Sequence, residues 1–174
     1  MRDTILAAVR VGAVAVAALT LLACGRSKVY TPDKPSHHAT DLSGVLTAVE
    51  VAMLNAQLDA YARRTEHCIT VFVLPSSHGE IHGDFAHRIH NTWRIGRKGY
   101  DDGVILFVFT DDRVIRISVG YGLEKALPDK EAARIAYEVI RPRMLPRPAD
   151  ALKAGALAII SSIDAYDSKK AKEE

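Results

Sequence analysis

The stretch RKGYDDGVILFVFTDDRVIRISVGYGLEKALPD, which covers residues 97–129, decides the fold of this chain. Residues 104–109 are apolar without interruption, which is typical of a strand buried on both faces. Residues 114–119 alternate between apolar and polar side chains and predict a strand with one covered face. The link between them, residues 110–113, is polar and short enough for a hairpin loop. The two strands are therefore expected to pair as an antiparallel hairpin.

Four acidic residues lie in the loops before and after this hairpin: Asp101, Asp102, Glu124 and Asp129. Because the strands are antiparallel, the two loops leave the sheet at the same edge and bring these acids together. Clustered carboxylates repel one another unless a cation lies among them, and hard cations prefer oxygen ligands. The four acids therefore predict one divalent-cation site, for Ca²⁺ or Mg²⁺. The alternative is that they serve loop solubility and turn formation, with Asp129 capping a helix.

The composition is that of a globular protein with one main domain. The chain has 174 residues, of which 48% are hydrophobic and 25% are charged, and both values are ordinary for a folded protein. Its formal net charge is +2, with positive and negative side chains interspersed. A nucleic-acid-binding domain would need a concentrated basic face, so we expect no nucleic-acid partner.

The N-terminal segment has the features of a targeting signal. It carries two arginines, and residues 11–22 form an apolar run that is too short to span a bilayer comfortably. The run ends at a small residue followed by Cys24, a pattern that resembles a bacterial lipobox. This resemblance implies a lipoprotein signal peptide over residues 1–23 and acylation of Cys24 with palmitate-type chains. The alternatives are a plain secretory signal with an incidental cysteine and an N-terminal membrane helix.

The residue after Cys24 indicates where such a lipoprotein is expected to reside. Gly25, rather than aspartate, implies sorting to the outer membrane of a Gram-negative cell, with the domain in the periplasm. Several acyl chains on one cysteine make a stable anchor, because each buried CH₂ contributes about 0.8 kcal/mol. Residues 24–40 are polar, contain two prolines and show no periodicity, so they are expected to form a flexible tether.

The rest of the chain has an element order typical of an α/β domain. The predicted elements are, in order, a helix with a Thr47–Glu50 capping box, a strand at 69–74, a helix at 84–93, the two hairpin strands, a helix capped by Asp129 and stopped by Pro142 and Pro146, and a helix at 150–166. Strand, helix and strand at this spacing form a βαβ unit, so strands 69–74 and 104–109 are expected to be parallel. The predicted fold is a small mixed β-sheet sandwiched between α-helices, in a single domain over residues 41–166. Residues 167–174 form a charged tail that is expected to fray.

Four histidines within thirteen positions are a second candidate metal site: His78, His82, His87 and His90. His87 and His90 are three residues apart and share one side of a helix, a spacing that suits a transition metal. The alternative is a solvated helix face. We favour that alternative because no HExxH or other complete ligand set is present.

Several other polar residues invite a functional interpretation that we do not favour. Residues 76–78, Ser-Ser-His, follow the first strand at its carboxyl end, where α/β sheets often bind ligands. No glycine-rich phosphate loop accompanies them, so they are interpreted as an ordinary loop. Asp111 and Asp112 are interpreted as turn formers. Cys68 begins an apolar run and is interpreted as a small buried residue rather than a nucleophile.

A set of motifs resembles the TPM-domain family in order and spacing. The motifs are DLSGVL at 41–46, WRIGRKG at 93–99, DGV at 102–104, DDR at 111–113, VGYGLE at 119–124, and Leu127 with Asp129. The resemblance covers roughly residues 41–166 and implies an α/β sandwich with a small mixed sheet between helices. The chain differs from the family pattern at Asp102, where asparagine is common, at Pro128, where threonine is common, and at Met144, where an aromatic residue is usual.

The resemblance implies two classes of function, because members of this family are described as phosphatases, as divalent-cation binders and as assembly or repair factors for membrane complexes. The first class is a binding, assembly or quality-control module for envelope proteins, held at the membrane by lipidated Cys24. The second is a metal-assisted acid phosphatase, in which a cation polarises a phosphoryl oxygen. No nucleophile or general base is evident beside the acidic loops. We therefore favour the first class and assign no catalytic residue.

Overall fold

A four-stranded mixed β-sheet forms the centre of the structure, a computed structural model that describes residues 29–173. Its strands lie in chain order: β1 (Ala39–Asp41), β2 (Cys68–Leu74), β3 (Gly103–Phe109) and β4 (Val114–Val119). β1, β2 and β3 are parallel, and β4 is antiparallel to β3. The predicted βαβ unit and hairpin are thus confirmed. The predicted signal peptide and Cys24 lie outside the described residues.

Four helices flank the sheet, as the predicted fold class requires. They are α1 (Ala48–Thr65), α2 (His82–Trp93), α3 (Asp129–Arg134, continued by the π-helical segment Ile135–Ile140 and by Arg141–Met144) and α4 (Pro148–Glu173). α2 packs on one face of the sheet, whereas α1, α3 and α4 pack on the other. β1, β2 and β3 are neighbouring parallel strands that lie across the sheet in chain order, and they are connected through α1 and then α2. Because these two helices lie on opposite faces of the sheet, one of the two crossover connections is left-handed, which is rare. No helix in the described range is long and apolar enough to cross a membrane.

β3 is the centre of the core and is buried along its whole length, as its uninterrupted apolar sequence predicts. On one face its phenylalanines pack against α2, and the ring centroids of Phe85 and Phe107 lie 5.9 Å apart. On the other face, Leu106 and its neighbours pack against the remaining three helices. β4 has only one well-covered side, since Ile115 is buried and Arg116 is exposed. The central position of β3 fixes where the loops at its two ends emerge.

Residues 31–40, predicted as part of a flexible tether, pack against the domain. The Trp93 indole nitrogen donates to the Pro32 carbonyl at 3.1 Å, and Pro32 is buried. Ala39, Thr40 and Asp41 pair with β2 as the short strand β1. A strand of three residues is too short to produce a detectable period in the sequence, which is why the prediction did not include it.

The outer edge of β1 is closed by a side chain of α1. The Asn55 side-chain oxygen accepts a hydrogen bond from the Ala39 backbone N–H at 2.6 Å. The Asn55 side-chain nitrogen donates to the Ala39 carbonyl at 3.1 Å. One amide side chain therefore takes the place of a neighbouring strand at this edge.

Two details of the predicted third helix differ in the structure. Asp129 is the first helical residue rather than the N-cap, which is Pro128. Pro142 does not stop the helix, because it follows a π-helical segment in which the Arg141 N–H donates to the Ala136 carbonyl. Pro142 then lies in the first turn of the next helical segment, where its missing N–H is not needed.

The last helix is longer than predicted at both ends, because it includes Pro148 and continues through the expected tail to Glu173. Two contacts hold its second half to the start of the domain. Arg64 of α1 binds Asp164 at 2.9 Å, and the His67 ring binds Asp167 at 3.0 Å. These contacts hold the helix as far as Asp167, and Lys169 pairs with Glu173 in the turns that follow. The predicted capping box of α1, Thr47 with Glu50, is confirmed.

Candidate functional site

A cavity of about 710 Å³ lies where the loops before and after the β3–β4 hairpin meet. One wall is formed by the C-terminal end of α2 and the loop that follows it. The opposite wall is formed by the end of β4, the 3₁₀ turn Tyr121–Leu123 and the start of α3. The antiparallel pairing of β3 and β4 creates this cavity, because both loops emerge beside each other.

Three of the four predicted acids line this cavity: Asp101, Glu124 and Asp129. Asp101 belongs to the loop before the hairpin, Glu124 to the loop after it, and Asp129 to the first turn of α3. All three side chains are exposed. The structure thus brings together carboxylates that are more than 20 residues apart in sequence.

The fourth acid, Asp102, is separated from the other three and is only 3% exposed. Its Oδ1 accepts the Arg97 backbone N–H at 2.7 Å, and its Oδ2 accepts the Arg97 Nε at 2.7 Å. Burial by itself raises the pKa of Asp102, but these hydrogen bonds and the Arg97 charge outweigh burial and hold the pKa below its usual value. Asp102 therefore organises the loop rather than facing the cavity.

Arg97 is the residue that connects this loop to its surroundings. Its guanidinium pairs with Asp102 and also with Glu66, just beyond α1. The same group lies over the Tyr100 ring, 4.3 Å from the centroid. His67 joins the network, since its Nδ1 lies 3.3 Å from Asp102 Oδ2. Arg97 and His67 were not among the predicted site residues, although Arg97 lies within the WRIGRKG motif.

Two glycines allow the loops of the cavity to approach each other. A Cβ at Gly120 would lie 2.1 Å from the Asp101 carbonyl oxygen, and a Cβ at Gly122 would lie 2.0 Å from the Tyr100 carbonyl oxygen. The Gly122 N–H donates to the Asp101 carbonyl at 3.1 Å. Asp101 itself has a φ of 48°, a left-handed conformation that aspartate tolerates better than most residues. The glycines in this motif are thus required by backbone proximity.

The same cavity also has basic residues on its walls. Arg94, Arg97 and Lys98 line it together with the three acids. Arg94 and Lys98 are exposed, whereas Arg97 is committed to the Asp102 network. The cavity therefore presents carboxylates and cationic groups to one volume, which suits a ligand that combines a cation with an anionic group.

A sequence model of the TPM domain matches residues 39–165, which is most of the chain. The chain belongs to the TPM-domain family. This family includes phosphatase-like members. The match begins with β1 and ends within α4, so it includes every strand and both walls of the cavity.

Solved structures from three bacteria share the fold of this TPM domain. The N-terminal domain of a protein from P. gingivalis is 28% identical with a TM-score of 0.70, and the alignment covers 80% of this chain and 94% of that one. A protein from the psychrophilic bacterium Bizionia argentinensis is 18% identical with a TM-score of 0.60, covering 72% and 86%. An N-terminal domain from Corynebacterium glutamicum is 17% identical with a TM-score of 0.54, covering 79% and 86%. No curated protein matches the chain.

The four histidines between residues 78 and 90 of the TPM domain do not form one cluster. His87 and His90 line the acidic cavity. The buried His90 ring lies 2.8 Å from the Ser118 hydroxyl of β4, and His87 accepts a hydrogen bond from the Asn91 side chain at 3.0 Å. Burial lowers the pKa of His90, and the neighbouring His87 charge lowers it further. His90 is thus a largely neutral packing residue near neutral pH.

The other two histidines, His78 and His82, lie near the hairpin tip. His82 Nε2 lies 2.8 Å from Asp112 Oδ2, and the same oxygen accepts the Ser77 backbone N–H at 3.0 Å. The hydrogen bond to His82 lowers the pKa of Asp112, and the Ser77 N–H adds to the effect. Asp112 therefore fastens the loop after β2 to the hairpin tip, a structural use related to the predicted turn formation.

Cys68 is half-buried rather than fully buried, and His38 is its neighbour. The Cys68 Sγ lies 3.8 Å from His38 Nδ1, which also lies 3.0 Å from the Ile69 carbonyl oxygen. His38 Nε2 lies 3.3 Å from Asp59. The contact with Cys68 raises the pKa of His38, against the opposing effect of burial. The ring thus links β1, β2 and α1.

The donor chemistry of the cavity fits a hard cation, but its carboxylates are not arranged as a preformed ligand set. Among residues 29–173, no group of three or more His, Cys, Asp or Glu side chains is close enough to hold a metal ion. Ca²⁺ takes about six to eight oxygen ligands in flexible geometry and accepts carbonyls and water among them. A cation here would therefore depend on movement of the exposed side chains and on water.

Proposed function

We propose that this protein is a binding module for envelope proteins, and that its acidic cavity holds one divalent cation, Ca²⁺ or Mg²⁺. The observation that carries the proposal is the presence of Asp101, Glu124 and Asp129 in one cavity formed by three separate chain segments. Carboxylates in one volume repel one another, and a cation relieves that repulsion. We leave Asp102 out of the ligand set because both of its oxygens are engaged by Arg97.

A melting curve with and without millimolar Ca²⁺ or Mg²⁺ tests the cation site. A cation that binds only the folded domain stabilises it by RT ln(1 + [L]/Kd), about 2.7 kcal/mol at a hundredfold excess over Kd. We expect Asp101→Asn and Glu124→Gln to reduce the cation-dependent shift. Asp84→Asn is the matched control, since it removes an exposed carboxylate of α2 that does not line the cavity. The absence of a shift in the wild-type domain would refute the cation site.

A metal-assisted phosphatase is the second candidate function. The observation in its favour is that Arg94 and Lys98 line the same cavity as the acids, where they could contact a phosphoryl group. The cation would supply polarisation of a phosphoryl oxygen when bound. Hydrolysis of a generic aryl phosphate by the purified domain, with and without Mg²⁺, tests this candidate. Activity that survives Asp101→Asn and Lys98→Ala unchanged would indicate a contaminant or another site.

We propose further that Cys24 carries the lipid that holds the module at the outer membrane, with its domain in the periplasm. The proposal is supported by the lipobox-like sequence before Gly25. Cys24→Ser should move the protein from the membrane fraction to the soluble periplasmic fraction. Unchanged membrane partition of that variant, with its signal still cleaved, would contradict lipidation at this position.

A further inference from the structure

The outer edge of β4 presents backbone groups that the described chain does not use. The Gly120 N–H donates to the Gly103 carbonyl at 2.8 Å, and in antiparallel pairing every second residue faces the partner strand. Arg116 and Ser118 therefore direct their backbone groups to β3, whereas Ile115, Ile117 and Val119 direct theirs away from the sheet. No backbone group elsewhere in residues 29–173 pairs with these outward groups.

This edge lies at the floor of a groove between α2 and α3. A cavity of about 390 Å³ is bounded by β4, by Gly83 and Ala86 of α2, and by Ala133 and Tyr137 of α3. It shares His87, Ile117, Ser118 and Asp129 with the acidic cavity, so the two cavities adjoin each other along β4. Gly83 and Ala86 on one wall and the alanines of α3 on the other leave room beside the strand for another backbone.

We propose that an extended segment of a partner polypeptide binds in this groove and adds to β4 as a fifth strand. This inference rests on the proposed function as a binding module and names the conformation of its partner. Strand addition provides backbone hydrogen bonds for affinity and alternate side chains for specificity. The outward N–H and C=O groups belong to every second residue of β4, namely Ile115, Ile117 and Val119. An extended partner chain also directs the N–H and C=O groups of every second residue to one side, so the two sets can pair.

The two walls define the side-chain pattern of the partner. The α3 wall is mainly apolar, because Ala132, Ala133 and Ala136 line it together with Asp129 and Tyr137. On the α2 side, the Arg116 side chain is exposed, lines the groove and forms no ion pair with any described residue. Opposite charges on adjacent strands stabilise their pairing. The partner segment therefore alternates apolar residues, which face α3, with acidic residues, one of which faces Arg116.

The recess of β4 favours a single peptide over a second copy of this chain. Ile115 is buried and Ile117, Ser118 and Val119 are partly buried, although β4 is an edge strand. In a second copy the same strand would lie between its own helices, so two recessed edges could not approach to the strand spacing of about 4.8 Å. An isolated extended segment carries no such helices.

A fluorescein-labelled peptide of alternating valine and glutamate is the probe. Fluorescence anisotropy of this peptide with the full domain, in EDTA and without added cation, should show saturable binding. The same peptide with N-methyl groups on the amides that face β4 keeps its side chains but loses its donors, and it should bind at least about tenfold more weakly. Equal binding of both peptides, or no saturable binding of either, would overturn strand addition.

Variants of the groove locate the binding. Ala133→Trp fills the groove from the exposed face of α3, and Ala60→Trp places the same side chain on the exposed face of α1 as a control. We expect Ala133→Trp to weaken binding about tenfold or more and Ala60→Trp to leave it unchanged. Arg116→Glu should weaken the valine–glutamate peptide and strengthen a valine–lysine peptide. Equal effects of the two tryptophan variants would place the peptide elsewhere.

Amide hydrogen exchange provides a direct readout. In the free domain, the amides of Arg116 and Ser118 should be protected and those of Ile115, Ile117 and Val119 should exchange faster. The peptide should protect the latter three. Protection of these three in the free domain, together with a dimeric mass in sedimentation, would instead identify a second copy as the occupant. Because the titration contains no divalent cation, its result is independent of the cation-site test.

Discussion

The two edges of the sheet are treated in opposite ways. At β1, the Asn55 side chain binds both the N–H and the carbonyl of Ala39, so the outward backbone groups of that residue are satisfied from within the domain. At β4, the outward groups of Ile115, Ile117 and Val119 have no such partner among the described residues. Unprotected edges invite association, and proteins usually block them. The β1 edge is closed, whereas the β4 edge is recessed but unpaired. This difference indicates that the β4 edge is kept open for a specific partner.

The largest effect is expected when the strand between the two edges is disrupted. Val71 of β2 is 1% exposed and pairs with both Ala39 and Leu106. Val71→Asp places an unpaired charge in the core, which costs several kcal/mol against a total stability of about 5–15 kcal/mol. We expect loss of the cooperative thermal transition by circular dichroism. A near-native melting temperature would show that β2 is not a buried central strand. In that case β1 and β4 would not be the two edges of one sheet.

Opening the closed edge should have the next largest effect. Asn55→Ala leaves the N–H and the carbonyl of Ala39 without partners, and we expect a loss of about 1–3 kcal/mol in the free energy of unfolding. Urea denaturation measures this loss. Asn91→Ala, an exposed position on α2, is the control for replacement of a helical asparagine. Equal stability of the two variants would mean that Asn55 does not protect the edge.

A smaller, stabilising effect is expected at the groove beside the open edge. Gly83 lies in the first turn of α2, and a Cβ there would meet no atom within 4 Å. Gly83→Ala should therefore raise the free energy of unfolding by up to about 1 kcal/mol through helix propensity. The peptide titration should be unchanged, because a methyl group does not fill the groove. A loss of stability would indicate that the groove is narrower than described.

The smallest effect concerns His90, which covers β4 through Ser118. Because the pKa of His90 is lowered in the folded state, the unfolded chain takes up the proton first as the pH falls below about 6.5. His90 therefore contributes stability that is present above that pH and is lost as the pH falls through the folded-state pKa. His90→Gln, which does not titrate, should show a flatter decline between pH 7 and pH 5 in thermal melts. Parallel curves for the two proteins would exclude this contribution.

The sequence was sufficient for the long elements and insufficient for the short ones. β3 and the alternating β4 were predicted because uninterrupted and alternating apolar runs are strong signals. β1 was missed because three residues carry no period. The continuation of α3 past Pro142 could not be predicted, since the π-helical segment before it has no sequence signal of its own.

At the candidate site, the sequence predicted which loops meet, but it did not predict which side chains pair with each other. The hairpin alone implied that Asp101, Glu124 and Asp129 would approach one another, and all three line one cavity. The burial of Asp102 depends on Arg97, whose side chain could have faced solvent as easily from the sequence alone. The role of Asn55 was also hidden, because an asparagine in the middle of a helix has no pattern that distinguishes an edge cap from an exposed residue.

The agreement between strand order and chain order has a consequence for how the sheet is built. As the chain is synthesised from its N-terminus, β1 emerges first, and Asn55 follows within the next 16 residues. The contact that closes the first side of the sheet spans only 16 residues, so it does not require β3 to have been made. Each later strand is added on the other side, and β4 is the last. A strand supplied by another protein would continue this growth in the one direction left to it.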